Sequence, residues 1–188
     1  GARNIKINEV LTNNTASIQD EFGDKHAWIE LANTSYSTYN VRGMYITTDR
    51  RVLNKNLTVP QRIKMMSCIP NGDQRTQMSA RQHLLFFLDS NPSKGTLHLT
   101  AECQGEEPLW IALYDGNAID IIDSVTVPAL ADNQSYARAK DGAQTWQVKT
   151  DNCVTPGITN FIQANETKIA KLKRDNPHNI NITILSIK

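Results

Sequence analysis

The chain has 188 residues and a formal charge of +1 at neutral pH. That length suits one domain with a sizeable hydrophobic core, and a charge so near zero excludes a general electrostatic drive toward nucleic acid or acidic lipid. No run approaches the roughly 20 apolar residues of a membrane-spanning helix.

The chain opens on Gly1 without a secretory-type leader, and because Gly1 is not an initiator methionine, targeting stays open. Its dominant pattern has a period of two. Ile5 and Ile7 alternate with Lys6 and Asn8, and Ala27, Ile29 and Leu31 with Trp28 and Glu30. Between Asp49 and Gln82 the pattern lapses into two apolar patches, around Val59 and from Met65 to Ile69, which predicts a long connection or irregular strands. Leu97, Leu99 and Ala101 then alternate with His98, Thr100 and Glu102, and Leu109, Ile111 and Leu113 with Trp110 and Tyr114. Ile119, Ile121, Val125 and Val127 share one phase, broken only by Asp123. Successive strand side chains point to opposite faces, so each run predicts a ribbon with one buried face.

Turn residues separate the ribbons, at Asn71-Gly72-Asp73, Asn91-Pro92-Ser93-Lys94-Gly95 and Asp141-Gly142. Asp115-Gly116-Asn117 sits between two apolar runs and predicts a hairpin. Short strands, regular turns and almost no helical period predict an all-β sandwich or barrel. After Thr155-Pro156-Gly157 the character changes. Residues 165–175 have a helical, basic composition that Pro177 ends. For 180–187, where Ile180, Ile182 and Ile184 alternate with Asn181 and Thr183, two readings stand: a last strand, or the first turns of a hydrophobic helix.

Cys68, Cys103 and Cys153 lack the close pairs of a zinc site. They are expected to be buried small hydrophobes, with one disulfide and one thiol as the alternative. Six N-x-S/T sequons, at Asn13, Asn33, Asn56, Asn133, Asn165 and Asn181, are no guide to the source in a sequence this rich in Asn and Thr. His26, His83, His98 and His178 sit in unrelated contexts, no Ser lies in a G-x-S-x-G elbow, and no glycine-rich phosphate loop occurs. Structural or surface roles are expected for all four histidines, with His98 facing solvent or a second layer.

Asp20, Glu21, Asp24 and Glu30, with Asp49 downstream, are oxygen ligands of the kind calcium takes, but no EF-hand spacing joins them and Lys25 intervenes. A solvated acidic loop is the expectation. Arg42, Arg50 and Arg51 form a small basic patch without the interleaved aromatics of a base-stacking surface. Trp28 and Trp110 are out of phase with their ribbons' apolar face, which makes them candidates for a partner surface.

Two stretches resemble known families. Ile5-Lys6-Ile7-Asn8-Glu9-Val10, followed by Asp24 and Trp28-Ile29-Glu30-Leu31-Ala32-Asn33, is similar to the opening of the lamin tail domain. Gly43 with Tyr45 to Asp49, Ile69-Pro70, Leu84 to Asp89, Leu109 to Asp115, Asp123-Ser124-Val125, Ser135 to Arg138, Trp146 and Thr155-Pro156-Gly157 follow in that family's order. The resemblance covers residues 4–160 and implies an immunoglobulin-like antiparallel β-sandwich, an accessory module found on bacterial surface and secreted proteins. Lys168 to Lys173, through Asn176-Pro177-His178, resembles the lead-in to the transmembrane helix of gamma subunits of sodium-pumping, biotin-dependent decarboxylases. Asn179-Ile180-Asn181 departs from the glycine-containing start of that helix.

The expected organisation is a sandwich over 4–160 and a linker, basic helix and apolar tail over 161–188. The expected function is non-catalytic binding or scaffolding outside the cytoplasm (periplasm or cell surface), on a membrane-anchored bacterial protein, as an accessory gamma subunit in its sharpest form. Its partners would be proteins, among them other membrane-complex subunits, and the membrane itself through a C-terminal segment. Neither nucleic acid nor a small-molecule substrate is favoured. No catalytic, cofactor-binding or metal residues and no cofactors are expected. Two alternatives stand beside this: a metal-dependent hydrolase drawing ligands from Asp20–Glu30 with His26, and a nucleic-acid binder using Arg42, Arg50, Arg51 and Lys168–Arg174.

Overall fold

The computed structural model describes residues 1–101, 103, 108–150 and 153–160; the basic segment, the isoleucine-rich stretch and the whole of the predicted 161–188 unit lie outside them. Its strands are β1 (Ile5–Leu11), β2 (Trp28–Asn33), β3 (Tyr39–Asn40), β4 (Tyr45–Thr47), β5 (Ser67–Cys68), β6 (Gln77–Met78), β7 (His83–Phe87), β8 (Leu109–Tyr114), β9 (Ile121–Val127), β10 (Ser135–Arg138) and β11 (Trp146–Lys149), with one short helix, α1 (Val59–Ile63). They form a five-stranded sheet in the order β11-β10-β1-β2-β7, a four-stranded sheet β5-β4-β8-β9 and a small β3-β6 ribbon, with every ladder antiparallel. The fold is an all-β sandwich, as the period-two reading predicts.

The core lies between the two large sheets. Ile5, Ile7 and Val10 of β1, Ile29 and Leu31 of β2 and Phe86 of β7 pack against Ile46 of β4, Ile111 and Leu113 of β8, and Val125 and Val127 of β9. Each is at most 8% exposed, and each fully buried aliphatic or aromatic side chain contributes on the order of 2 kcal/mol by leaving water.

Strands β1, β2 and β8 bury both faces, not the one expected, whereas β9 and β11 keep exposed positions. Trp28 is fully buried with Leu11, Phe87 and Val154 outside the five-stranded sheet. Trp110 packs with Val52, Met66, Ala112 and Tyr114 outside the four-stranded one. Neither tryptophan is therefore a partner surface. The cover over Trp110 comes from the Asp49–Gln82 connection, irregular as predicted, where α1 is capped by Thr58 and Gln61 in a reciprocal capping box.

Two bulges shift the apolar phase. Asn8 is the extra residue in β1, since Ile7 pairs with Leu31 and Glu9 with Glu30. Ile122 is the extra residue in β9, which turns Ile122 inward and leaves Ile119 and Ile121 exposed. The single phase predicted for Ile119 to Val127 is thus wrong before Asp123. The predicted ribbon at Leu97–Ala101 is not a strand either: only His98 bridges, in parallel, to Phe87.

Cys68 and Cys153 are exposed, and Cys103 is half-buried against the core. The expectation of three buried cysteines fails, and no disulfide joins them.

Candidate functional site

At the end of the sandwich where β1 hands over to β2, the connecting loop meets the turn after β7. The Asp20 carboxylate organises that loop: its Oδ1 accepts the N–H groups of Phe22 and Asp24 at 2.8 and 2.9 Å. Gly23 supplies the left-handed φ of +85° that the reversal requires. From the other side, the turn Pro92–Lys94 delivers Lys94. Its ammonium donates to Asp20 Oδ2 at 2.6 Å, to Asp24 Oδ2 at 3.0 Å and sits 3.2 Å from His26 Nε2.

Behind this lies His98, fully buried. Its Nδ1 is 2.6 Å from Asp89 Oδ2 and its Nε2 is 2.7 Å from Glu21 Oε2. The ring stacks on Phe87, with centroids 5.3 Å apart and planes at 22°. His26 lies 3.2 Å from Asp20 and 3.7 Å from Asp89. Ligand-type atoms of Asp20, Asp89 and His98, and of Asp20, Asp24 and His26, fall within 4.8 Å of one another.

The electrostatics are those of a neutralised cluster. Burial opposes ionisation of Asp20, but the Lys94 hydrogen bond and the backbone N–H groups outweigh it and hold the carboxyl well below its ordinary range. Burial also works against a charged His98, and the hydrogen bonds to Glu21 and Asp89 outweigh it, raising the imidazole above its ordinary value. Of the acidic residues grouped in the sequence, Asp20, Glu21 and Asp24 come together here, whereas Glu30 and Asp49 lie elsewhere. The loop is solvated over residues 21–25, as expected, but Asp20 itself is buried. Of the two alternatives for His98, the structure shows the second: the ring is buried against Phe87 and the 20–24 loop and does not face solvent.

Asp89, Lys94 and the second nitrogen of His98 could not be found from the sequence. Lys94 follows Asp20 by 74 positions, and its only local signal is a turn. Beside the cluster, an open groove of about 290 Å³ runs between β5 and the 92–100 turn, lined by Met66, Cys68, Pro92, Thr96 and Thr100.

The basic patch is partly engaged. Arg51 is bonded to Asp49 through Nη2 at 2.6 Å, and the Arg50 guanidinium lies over Trp110 at 5.7 Å.

A second polar cluster sits on the outer face of the five-stranded sheet, under residues 154–160, which lie across β1, β2 and β10 as a strap. Glu9 and Glu30 are cross-strand partners, and neither is exposed. Glu9 accepts from Ser135 Oγ at 2.6 Å and from Thr155 through N at 3.1 Å and Oγ1 at 2.8 Å. Glu30 Oε2 accepts the Gly157 N–H at 2.5 Å, and its Oε1 is 3.5 Å from Asn8 Nδ2. Burial, and then the charge of Glu9, push the Glu30 carboxyl well above its ordinary range. Asp141 accepts the Asn160 N–H at 2.8 Å and is paired with buried His83 at 2.8 Å. Lys149 donates to the Asn160 carbonyl at 2.6 Å.

Comparison with protein-family models, with curated proteins and with solved structures gave no match.

Proposed function

We propose that this chain is a non-catalytic binding and scaffolding module, an immunoglobulin-like sandwich of the lamin tail type carried outside the cytoplasm by a membrane-anchored bacterial protein. The observation that carries the reading is the position of Lys94. Carboxylates and imidazoles converge at one end of the sandwich, as in a hydrolase, but a lysine ammonium of the same chain takes the place where an ion would polarise water. His98, the fully buried imidazole of the cluster, has both nitrogens engaged by carboxylates and offers no lone pair to a substrate.

The cluster acts instead as a brace. It orders a loop whose tip, Phe22, is 63% exposed, with Lys94 Nζ 5.2 Å from the ring centroid. An exposed aromatic on a loop already fixed in place loses little entropy on binding, which is what an interface anchor requires. The lamin-type assignment rests on the sequence blocks of residues 4–160. The gamma-subunit form, with sister subunits and a membrane as partners, rests on residues 168–178 alone.

The test is photocrosslinking in cells that produce the full-length protein, with benzoylphenylalanine at position 22 or at exposed position 55 in the cover of the four-stranded sheet. A defined protein adduct from position 22 and none from position 55 is expected. Equal labelling from both positions, or metal-dependent cleavage of ester or phosphodiester substrates by the purified chain, would overturn the proposal in favour of the hydrolase.

A further inference from the structure

The buried polar clusters differ in how their charge is met. The Asp20 group is balanced by a lysine, and Asp123 by Arg138. Glu9 and Glu30 are two carboxyls on one buried face; the donors that bond them directly are neutral, three of them, Thr155 N, Thr155 Oγ1 and Gly157 N, from the strap, and the Lys149 ammonium stands one hydroxyl away from Glu9, 3.3 Å from Thr155 Oγ1.

We infer that the strap 154–160 is a proton-held latch: it closes over the five-stranded sheet while Glu30 is a neutral carboxylic acid, and ionisation of Glu30 opens it. Two carboxylates facing each other on a dry sheet face cannot both keep their charge, because neither has water and each repels the other. Glu9 has three donor contacts of 3.1 Å or less. Glu30 has one such contact, from Gly157, and the long one from Asn8. The raised pKa of Glu30 follows from the same geometry.

The groups facing Glu30 come from several elements. Glu9 and Asn8 lie on β1, Asp141 with its partner His83 belongs to the β10–β11 turn and β7, and Lys149 of β11 holds the strap at Thr155 Oγ1, on the Glu9 side, and at the Asn160 carbonyl. Asp141 adds to the repulsion and is itself kept ionised: burial resists its charge, but the hydrogen bond and charge of His83 prevail. A carboxylate at position 30 therefore meets two negative neighbours. The least costly relief is to let water in, and the strap is the removable wall. Opening it bares Leu11 and Trp28, which Val154 helps to cover.

The test is amide exchange of residues 154–160 from pH 5 to pH 9, corrected for intrinsic rates and referred to the core strand β8. In the wild type, strap protection is expected to fall by about tenfold per pH unit until the pKa of the closed state is passed, while β8 stays protected. Glu30→Gln, which mimics the neutral acid, is expected to hold the strap closed throughout. Should that variant fold poorly, Glu9→Gln gives a second reading: without the opposing charge, the pH at which protection is lost moves. Strap protection that is flat in the wild type, falls equally in Glu30→Gln, or keeps its midpoint in Glu9→Gln would overturn the latch.

Discussion

Asp123 of β9 and Arg138 of β10 join the two layers of the sandwich at 2.8 Å, at the place where the Asn8 bulge interrupts β1. The bulge leaves the main chain of Ile7 facing the gap, and both residues use it: Asp123 Oδ2 accepts the Ile7 N–H at 2.8 Å, and Arg138 Nε donates to the Ile7 carbonyl at 2.7 Å. Arg138 also lies over Trp146 at 4.5 Å. Inward charge on β9 further blunts the edge of the four-stranded sheet against pairing with another chain.

Removing one member of this pair strands the other in a nearly dry site. Asp123→Ala is expected to cost about 3 kcal/mol in urea denaturation. In a double-mutant cycle with Arg138→Met, the two losses should fall well short of adding, because they interrupt one interaction. Additive losses would show that the two residues act independently.

Lys94→Ala removes the cation at the centre of the Asp20 cluster. We expect a loss of stability in urea denaturation, because Asp20 is left buried without its cation. The variant should also gain what the wild type lacks, a rise in Tm on adding zinc or manganese, because Asp20, Asp24 and His26 already converge to ligand spacing. Differential scanning fluorimetry of both proteins with and without metal checks this. A wild type that responds as strongly as the variant would mean that Lys94 yields readily to an ion.

Stability should fall on both sides of mildly acidic pH. Asp20 and Asp141 have depressed folded values, so the stability they supply is present above the ordinary carboxyl range near pH 4 and is lost as pH drops through those values. His98 and Glu30 have raised folded values. The contribution of His98 is complete below about pH 6.5 and that of Glu30 below about pH 4.3, and each is lost as pH rises through the folded value. Urea titrations at stepped pH should show Asp20→Asn flattening the acid limb and Glu30→Gln flattening part of the alkaline one.

Packing and display can be separated by two aromatic truncations. Trp28→Ala empties a fully buried site and should cost about 3 to 5 kcal/mol. Phe22→Ala, at the exposed loop tip, should leave stability within about 0.5 kcal/mol. A large loss from Phe22→Ala would assign that ring to packing.

The two-layer architecture was legible because inward positions such as Ile5, Ile29 and Ile111 keep their phase over several residues. The bulges at Asn8 and Ile122 were not, since an inserted residue leaves the composition unchanged and only slips the pattern. Trp28 and Trp110 misled for a different reason: their outward phase is real, and the loops that cover them lie far away in sequence. Of the candidate site, the grouping of Asp20, Glu21, Asp24 and His26 was visible as a run of ligand-type residues. Its chemistry was not, because Lys94, the residue that decides it, comes from a turn with no pattern of its own. The Glu9–Glu30 pairing followed from the register of β1 against β2, which the bulge conceals.

Holding Glu30 with a hydrogen ion beneath the strap has a calorimetric consequence. At a pH between the ordinary carboxyl range and the raised value of Glu30 under the closed strap, the unfolded chain carries position 30 as a carboxylate, so refolding draws a hydrogen ion from the surrounding buffer. The heat of refolding should therefore differ between buffers of high and low ionisation enthalpy, and the difference should shrink when position 30 is glutamine.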